Sequence, residues 1–442
     1  GGALAGRGLA RTAARFACVR RAYGAVCESP VFAGPPRRPV GGRPEYAHVE
    51  VHFTGAGVVA EGAGKLNPRI LFVSTADWAF RAHRLSLAKW LVEQGATVGV
   101  ICPLGEAVED LEAAGLAVFP MALSRDKISA SETLVAAKAV CETASAFEAD
   151  VLHCVSLRCV LFGWLAMRGV RERPRVVNHV IGMGSLYSDE ARSMKLRLLR
   201  GGVDWCLRRA FRAPDAMTVF QNHDDLNWWR NHAALEENQL ACLPGSIDTA
   251  LIKPTDEPSG PPWRMVFVGR LLKDKGVAEL VEAHAALRAR GVSVKLALCG
   301  DVDAGNPKSF THAEAEAFGD AEGCEWLGRW DDVLEQIAAS HLLVLPTYRE
   351  GLPRVLLEAG LARRAVVTTD VPGCREVVVN GESGLLCPPR DATALAEVIG
   401  RVLEEDGLRE RLANSLHNRV QEKFSDKIVN PRWWELYREG RP

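Results

Sequence analysis

Leu342-Leu343-Val344-Leu345-Pro346-Thr347-Tyr348-Arg349-Glu350-Gly351-Leu352-Pro353-Arg354-Val355-Leu356-Leu357-Glu358-Ala359 changes period part-way through. The apolar run at 342–345 reads as a buried strand, Glu350-Gly351-Leu352-Pro353 as a turn, and Val355 onward as a helix. Pro353 fits the first turn of that helix, where a missing N–H costs nothing. The first amides of such a helix point at the mouth of the strand and form a ready anion site. Two carboxylates frame it: Glu350 in the turn and Glu358 inside the helix. A solvated helix start that merely favours acidic residues is the plainer reading of the pair.

The same strand-turn-helix unit recurs outward from this stretch. Towards the amino end, Arg69–Thr75 reads as a first buried strand, followed by a helix over Ala82–Gln94 that stops at Gly95. Strands at Thr97–Cys102, Leu116–Phe119, Asp150–Cys154, Arg175–Val180 and Ala216–Phe220 continue the series, with helices at Glu106–Ala114 and Glu190–Phe211. A second series begins at Arg264–Val268 and runs through a helix at Val277–Arg290. Its further strands are Val292–Leu298, Leu342–Leu345, Ala365–Thr368 and Gly384–Cys387. Strands separated by helices predict parallel sheets covered on both faces. The expected fold class is therefore α/β, with two Rossmann-like, doubly wound domains facing each other across a cleft. Ligands of such sheets sit at the carboxyl ends of the strands. Leu243–Asp248 and the Pro-rich stretch Lys253–Pro262 mark the hinge.

At 442 residues, 48% hydrophobic and 25% charged, the chain has the composition of an ordinary soluble protein. Its net charge of −1 conceals an imbalance. Residues 1–45 hold eight arginines and two glutamates, a balance of +6 that leaves −7 for the remainder. A charge excess confined to one tail does not describe a nucleic-acid protein. Arg7, Arg11 and Arg15, spaced among Leu9, Phe16 and Val19 with no acid before Glu28, have the pattern of an organellar transit segment. A basic disordered tail and linker is the alternative. Twelve cysteines without a repeated Cys-x-x-Cys pair suit a reduced compartment and no structural zinc site. No run is long enough to span a bilayer. The expected location is cytoplasmic, with at most peripheral membrane contact.

The string from Thr347 to Ala359 resembles the Glu-x7-Glu signature of the retaining nucleotide-sugar glycosyltransferases of family 4, which have the GT-B fold. The resemblance extends over about 67–440. It includes Phe267–Gly276, Pro244–Asp248, Val371–Val378 and Asn380–Leu386. In the first half, Asp77–Leu87 and Val177–Gly184 look like the branch that acts on lipid-linked or other glycan acceptors. The implied division is a 1–65 extension, a 66–245 acceptor-side domain and a 246–426 nucleotide-sugar domain. A 427–442 helix then crosses back to the first domain.

The resemblance implies a hexosyl transfer (EC 2.4) in which Glu350 contacts the sugar and Glu358 holds the ribose hydroxyls. A carboxylate can accept from two neighbouring hydroxyls at once. Gly351, Leu352 and Pro353 supply amide and turn contacts, and Arg270 and Lys275 clamp the diphosphate. Arg329 lies in the loop where the base is met. No dedicated metal or other cofactor is implied. Asp301-Val302-Asp303 has the form of the metal-binding Asp-x-Asp of a different glycosyltransferase fold, but it follows a strand in a loop of the sort that the resembling family has there. On the acceptor side the candidates are His83, Gly182 and His179. The family's His-Gly pair is here Ile181-Gly182, and Ala76-Asp77-Trp78 replaces its Gly-Gly loop. His179 would substitute as a sugar contact, or else be a core histidine.

The implied donor is a UDP-sugar and the implied acceptor a glycan or polyprenyl-linked glycan. Arg192, Lys195, Arg197 and Arg200 form either a membrane-facing run or a solvated helix face. Trp228-Trp229 and Trp433-Trp434 either stack on sugars or pack the core. Two other activities share this architecture: nucleotide-sugar 2-epimerisation, and sugar-nucleotide binding without catalysis.

Overall fold

A computed structural model describes residues 67–124, 129–184, 187, 194–330 and 332–439. The transit segment expected at the amino end lies outside these residues, as do Arg192 and the side chains of Lys195 and Arg197. Arg200 is described. Its guanidinium lies 4.8 Å from the centre of the Tyr187 ring and 4.0 Å from Asp204.

The first half runs β1 (Arg69–Val73), α1 (Asp77–Glu93), β2 (Thr97–Cys102), α2 (Val108–Ala113), β3 (Ala117–Pro120) and α3 (Ala130–Phe147). It continues through β4 (Val151–Val155), α4 (Leu157–Ala166), β5 (Arg175–Val180), α5 (Met194–Phe211), β6 (Ala216–Phe220), α6 (His223–Ala233) and β7 (Leu240–Cys242). The second half begins β8 (Trp263–Val268), α7 (Val277–Ala289), β9 (Val294–Cys299), α8 (His312–Gly319), β10 (Cys324–Gly328) and α9 (Val333–Ala338). Then come β11 (Leu342–Leu345), α10 (Arg354–Leu361), β12 (Ala365–Thr369), α11 (Cys374–Val377) and β13 (Leu385–Cys387). Three helices finish it: α12 (Ala392–Glu404), α13 (Leu408–Lys423) and α14 (Asp426–Glu439).

All the strands pair in parallel. The first sheet has the order β3-β2-β1-β4-β5-β6-β7 and the second β10-β9-β8-β11-β12-β13. Each order reverses direction once, between β1 and β4 and between β8 and β11. At such a switch point the connecting loops diverge and leave a crevice at the strands' carboxyl ends. The central strands are apolar throughout because helices cover both faces: β4, β6, β11 and β12 are buried at every residue.

Three differences from the period-based reading have physical causes. Helix α1 starts at Asp77, five residues before the Ala82 expected, because Asp77 turns inward and anchors its start. Helices α3 and α4 were not expected. α3 is rich in alanine, serine and threonine, whereas α4 is apolar on nearly every side, so neither shows a clear 3.6-residue stripe. The edge strands β7 and β10 are short and only partly buried, which removes the apolar run that marks a strand.

The chain crosses between the halves twice, and the crossings pair with each other. Ile247 donates to the Phe424 carbonyl at 2.9 Å, and Asp426 donates to the Ile247 carbonyl at 3.0 Å. Beyond this point α14 packs on the first sheet, where Val429, Trp433, Leu436 and Tyr437 share a core with Ile70, Phe72 and Val177. Arg175 closes the contact by donating to the carbonyls of Leu436 and Tyr437. Trp229 and Trp433 are fully buried, so both pack the core. Truncating so large a buried ring costs about 3–5 kcal/mol. Trp433→Ala is expected to lower unfolding free energy by that amount in denaturant melts monitored by circular dichroism.

Candidate functional site

The loops leaving β8 and β11 are neighbours because their strands are neighbours, and this places Lys275 against Glu350. The two form a direct ion pair at the second switch point, each about four-fifths buried. The loops also fit tightly. A Cβ on Gly276 (φ +69°) would lie 2.1 Å from the Pro346 carbonyl oxygen. Tyr348 donates its backbone N–H to the Asp274 carbonyl at 2.9 Å, and the Thr347 hydroxyl donates to the same oxygen at 3.2 Å.

Turn 349–353 is held mainly from the first half of the chain. Gly351 rests on the loop after β5 so closely that a Cβ would stand 1.8 Å from the Ile181 carbonyl oxygen and 3.2 Å from the Gly182 Cα. Asn222, which caps α6, donates to the Gly351 carbonyl at 2.8 Å. Arg349 pairs with the buried Asp225 at 3.0 Å. Further along α6 and α11, His223 meets Glu376 at 3.0 Å and Arg375 meets Asp224 at 3.2 Å. Gly373 (φ +81°) packs under the turn, where a Cβ would meet the Gly351 and Glu350 carbonyls at 2.6 and 2.7 Å.

Pro353 precedes the first helical residue instead of lying in the first turn, and no side chain caps the amino end of α10. The Leu356 N–H turns back to the Pro353 carbonyl at 3.1 Å, and the first amides of the helix have no side-chain cap, an arrangement suited to an anion. Glu358 lies one turn along, bonded to Arg354 at 2.9 Å. Arg270 is half exposed and paired with Asp303 at 2.6 Å. Asp303 thus serves as an arginine partner, and no cluster of three His, Cys, Asp or Glu side chains suited to a metal occurs among the described residues. Leu352 is half-buried and Pro353 buried, and Arg329 is exposed just beyond β10.

On the facing side, Arg354 donates across the seam to the Ala82 carbonyl. His83, next to it, is solvent-accessible yet walled in by protein. That enclosure, with the charges of Arg84 and Arg354, lowers its pKa from 6.5 to about 4. The expectation that His179 touches a sugar is not met. Its side chain is fully buried, and both ring nitrogens are engaged, one with Arg84 at 3.3 Å and the other with His153 at 3.0 Å. His153 in turn meets the Tyr437 hydroxyl at 2.6 Å. Burial foremost, then the charge of Arg84, pushes both histidines well below the usual range.

The family model described as glycosyl transferases group 1 matches residues 250–419, and the glycosyl transferase 4-like domain matches residues 79–223. The chain belongs to the group 1 (family 4) glycosyltransferases. It is an enzyme of class EC 2.4 with the GT-B fold.

Among the relatives of this glycosyltransferase is the N,N'-diacetylbacillosaminyl-diphospho-undecaprenol alpha-1,3-N-acetylgalactosaminyltransferase of Campylobacter jejuni. The two are 27% identical over 84% of this chain and 98% of that protein. The capsular polysaccharide biosynthesis glycosyltransferase CapM of Staphylococcus aureus is 32% identical, over 38% of this chain and 43% of its own. Solved structures of the same fold include a glycosyltransferase from Rickettsia africae, with TM-score 0.66, 17% identity, and 84% and 98% of the two chains covered. HepE from Anabaena, solved with UDP and glucose, has TM-score 0.64, 19% identity, and 84% and 100% coverage. No described helix of this glycosyltransferase is long and apolar enough to cross a membrane.

Sequence reading missed several residues that shape the site. Asp77 accepts from the Trp78 and Ala107 amides at 2.7 and 2.9 Å, tying α1 to the β2–α2 loop. Ser156, after β4, is held at φ +96° and donates its amide to the His179 carbonyl. Asn222 and Asp225 carry one detectable signal: Asn-x-x-Asp ahead of a helix announces a cap, though not a grip on another domain.

Two expectations follow from this geometry. Gly351→Ala must displace the turn from Ile181, and turnover is expected to fall about a hundredfold, the usual cost of misplacing reacting groups by roughly an ångström. Initial-rate assays beside melting curves measure this. The second concerns pH. His153 and His179 are held neutral in the fold, whereas the unfolded chain takes up their protons near 6.5. Stability is therefore full above about pH 6.5 and declines as pH falls below it, by up to about 1.4 kcal/mol per unit for each histidine. Denaturant melts between pH 7.5 and 5 should show this slope, and His153→Gln should flatten it.

Proposed function

We propose that the enzyme moves a hexosyl group from a nucleotide-sugar, a UDP-sugar, to a hydroxyl of a glycan or polyprenyl-linked glycan, with retention of configuration. The observation that carries this is the Lys275–Glu350 pair set beside the uncapped start of α10. A cation and a carboxylate beside a helix start, at one switch point, support this reading. The UDP assignment is supported by the HepE structures, which contain UDP or UDP-glucose. The acceptor class is supported by the printed name of the Campylobacter relative, which acts on a diphospho-undecaprenol-linked sugar.

In this reading Arg270, Lys275 and the amides of Gly351 and Leu352 take the diphosphate. Glu358 holds the ribose, and Arg329 lies near the base. Lys275 then exchanges Glu350 for phosphate, which leaves Glu350 to face the sugar. The bond from the anomeric carbon to the diphosphate oxygen breaks, and the acceptor oxygen forms its bond on the same face. The acceptor proton passes to the departing phosphate oxygen. Arg270, Lys275 and the helix start stabilise the leaving charge, a role that needs no dedicated metal. Acceptors enter from the side of His83 and Gly182, and contact with the membrane surface is peripheral.

Glu350→Ala is expected to lower turnover by about a hundredfold, the usual scale for a lost transition-state contact, while the protein still binds UDP. Radiolabelled sugar transfer to a prenyl-diphosphate glycan measures it, and near-normal rates would remove the role. Product that forms only when acceptor is present distinguishes transfer from 2-epimerisation.

A further inference from the structure

Two buried arginines in this fold are treated very differently. Arg364, 1% exposed, has its nitrogens taken up by the Ala338, Thr255, Asp256, Ala362 and Arg363 carbonyls and the Thr255 hydroxyl. Among the described residues Arg84, 4% exposed, makes one hydrogen bond, from Nη2 to His179, and its Nε is buried with no partner. No carboxylate pairs with it among the described residues. A guanidinium held out of water without an anion is costly to keep. Burial, with the charge of Arg354 adding to it, lowers its pKa to about 10. Arg84 is also the only cation on the buried face of α1.

Its surroundings are electropositive as well. Arg354 reaches over from the start of α10 to the carbonyl of Ala82, two residues before Arg84, and His83 lies between them in sequence. Glu358 is already engaged by Arg354, and Asp77, the acid on the same buried face of α1, accepts from the Trp78 and Ala107 amides.

The guanidinium is also oriented. Arginine can only donate, so His179 Nε2 must accept, which leaves the proton on Nδ1 to be given to His153 Nε2. His153 Nδ1 must then donate to the Tyr437 oxygen. Trp433 packs against both imidazole rings, with centroids 5.0 and 4.8 Å away. Groups from β4, β5 and α14 thus hold a cation in place without neutralising it.

We propose that Arg84 is the anion-binding group of a phosphate subsite at the seam between α1 and the start of α10, oriented through His179, His153 and Tyr437. The ligand is a phosphate or diphosphate ester, whose oxygens match the guanidinium fork. The group could come from the sugar donor or from a phosphorylated acceptor. Only this choice of source rests on the glycosyl-transfer reading.

Calorimetric titration of the full chain separates the sources. UDP is titrated first, and inorganic pyrophosphate is then titrated into the UDP-saturated protein. Arg84→Gln is expected to weaken one of these by about tenfold or more, the scale of a charge-assisted bond. Weaker UDP binding assigns the donor's phosphate; unchanged UDP with weaker pyrophosphate assigns the acceptor's. Both affinities within about twofold of wild type would overturn the site. Melting without added anions gives a second readout. Removing an unmatched charge should leave the melting temperature of R84Q at or above that of wild type, with the phosphate-induced rise lost. A lower melting temperature with that rise intact means a structural arginine, which also overturns the site. If R84Q does not fold, Arg84→Lys takes its place in the titrations alone, where loss of the guanidinium fork is expected to weaken the anion and affinities within about twofold of wild type overturn the site. A wild-type protein that ignores UDP counts against the sugar-nucleotide reading alone. Pyrophosphate titrated without UDP then tests Arg84.

Discussion

The approach of Gly351 to the Ile181 carbonyl is the constraint on which the site depends. No side chain other than hydrogen fits there, so the turn bearing Glu350 rests on backbone from the facing half of the molecule. Asn222 and Asp225 then hold the same turn by its carbonyl and by Arg349. Glu350 is consequently positioned by both sheets: Lys275 reaches it from its own side, while its backbone is set by the other. The geometry of the pair thus depends on contacts from both halves.

Charge is distributed in accordance with that arrangement. Cations on the second side carry carboxylate partners, Asp303 for Arg270 and Glu350 for Lys275. Such pairs keep the crevice from holding bare charge. The first side differs in holding a buried arginine through neutral imidazoles. Neutral partners orient a cation without cancelling its field, a property suited to a group that must attract an anion.

The fold was legible because its strands are short apolar runs and its turns carry glycine and proline. The Glu350–Glu358 frame and the Arg270–Lys275 pair could be named because each lies within one short run that resembles a family signature. His179 could not be placed correctly in the same way. Strand alternation says which face a side chain takes, but not whether a helix from 250 residues later covers that face. Trp433 and Tyr437 do cover it, and so a candidate sugar contact became an interior link. Arg84 was overlooked for the opposite reason: an arginine in an amphipathic helix reads as a surface residue until its neighbours are seen. Asp225 and Asn222 look like ordinary capping residues in sequence, and only tertiary contact reveals their hold on the turn.

The return of α14 to the first sheet also bears on biogenesis. Val429, Trp433, Leu436 and Tyr437 complete a core whose other walls lie between Ile70 and Leu243. A ribosome must therefore release the whole second sheet before the earlier half can close over its own strands. The emerging amino-terminal half leaves an apolar surface waiting in the meantime, and such surfaces are those that chaperones engage. Assembly runs against the order of synthesis here: the half made first is the half finished last.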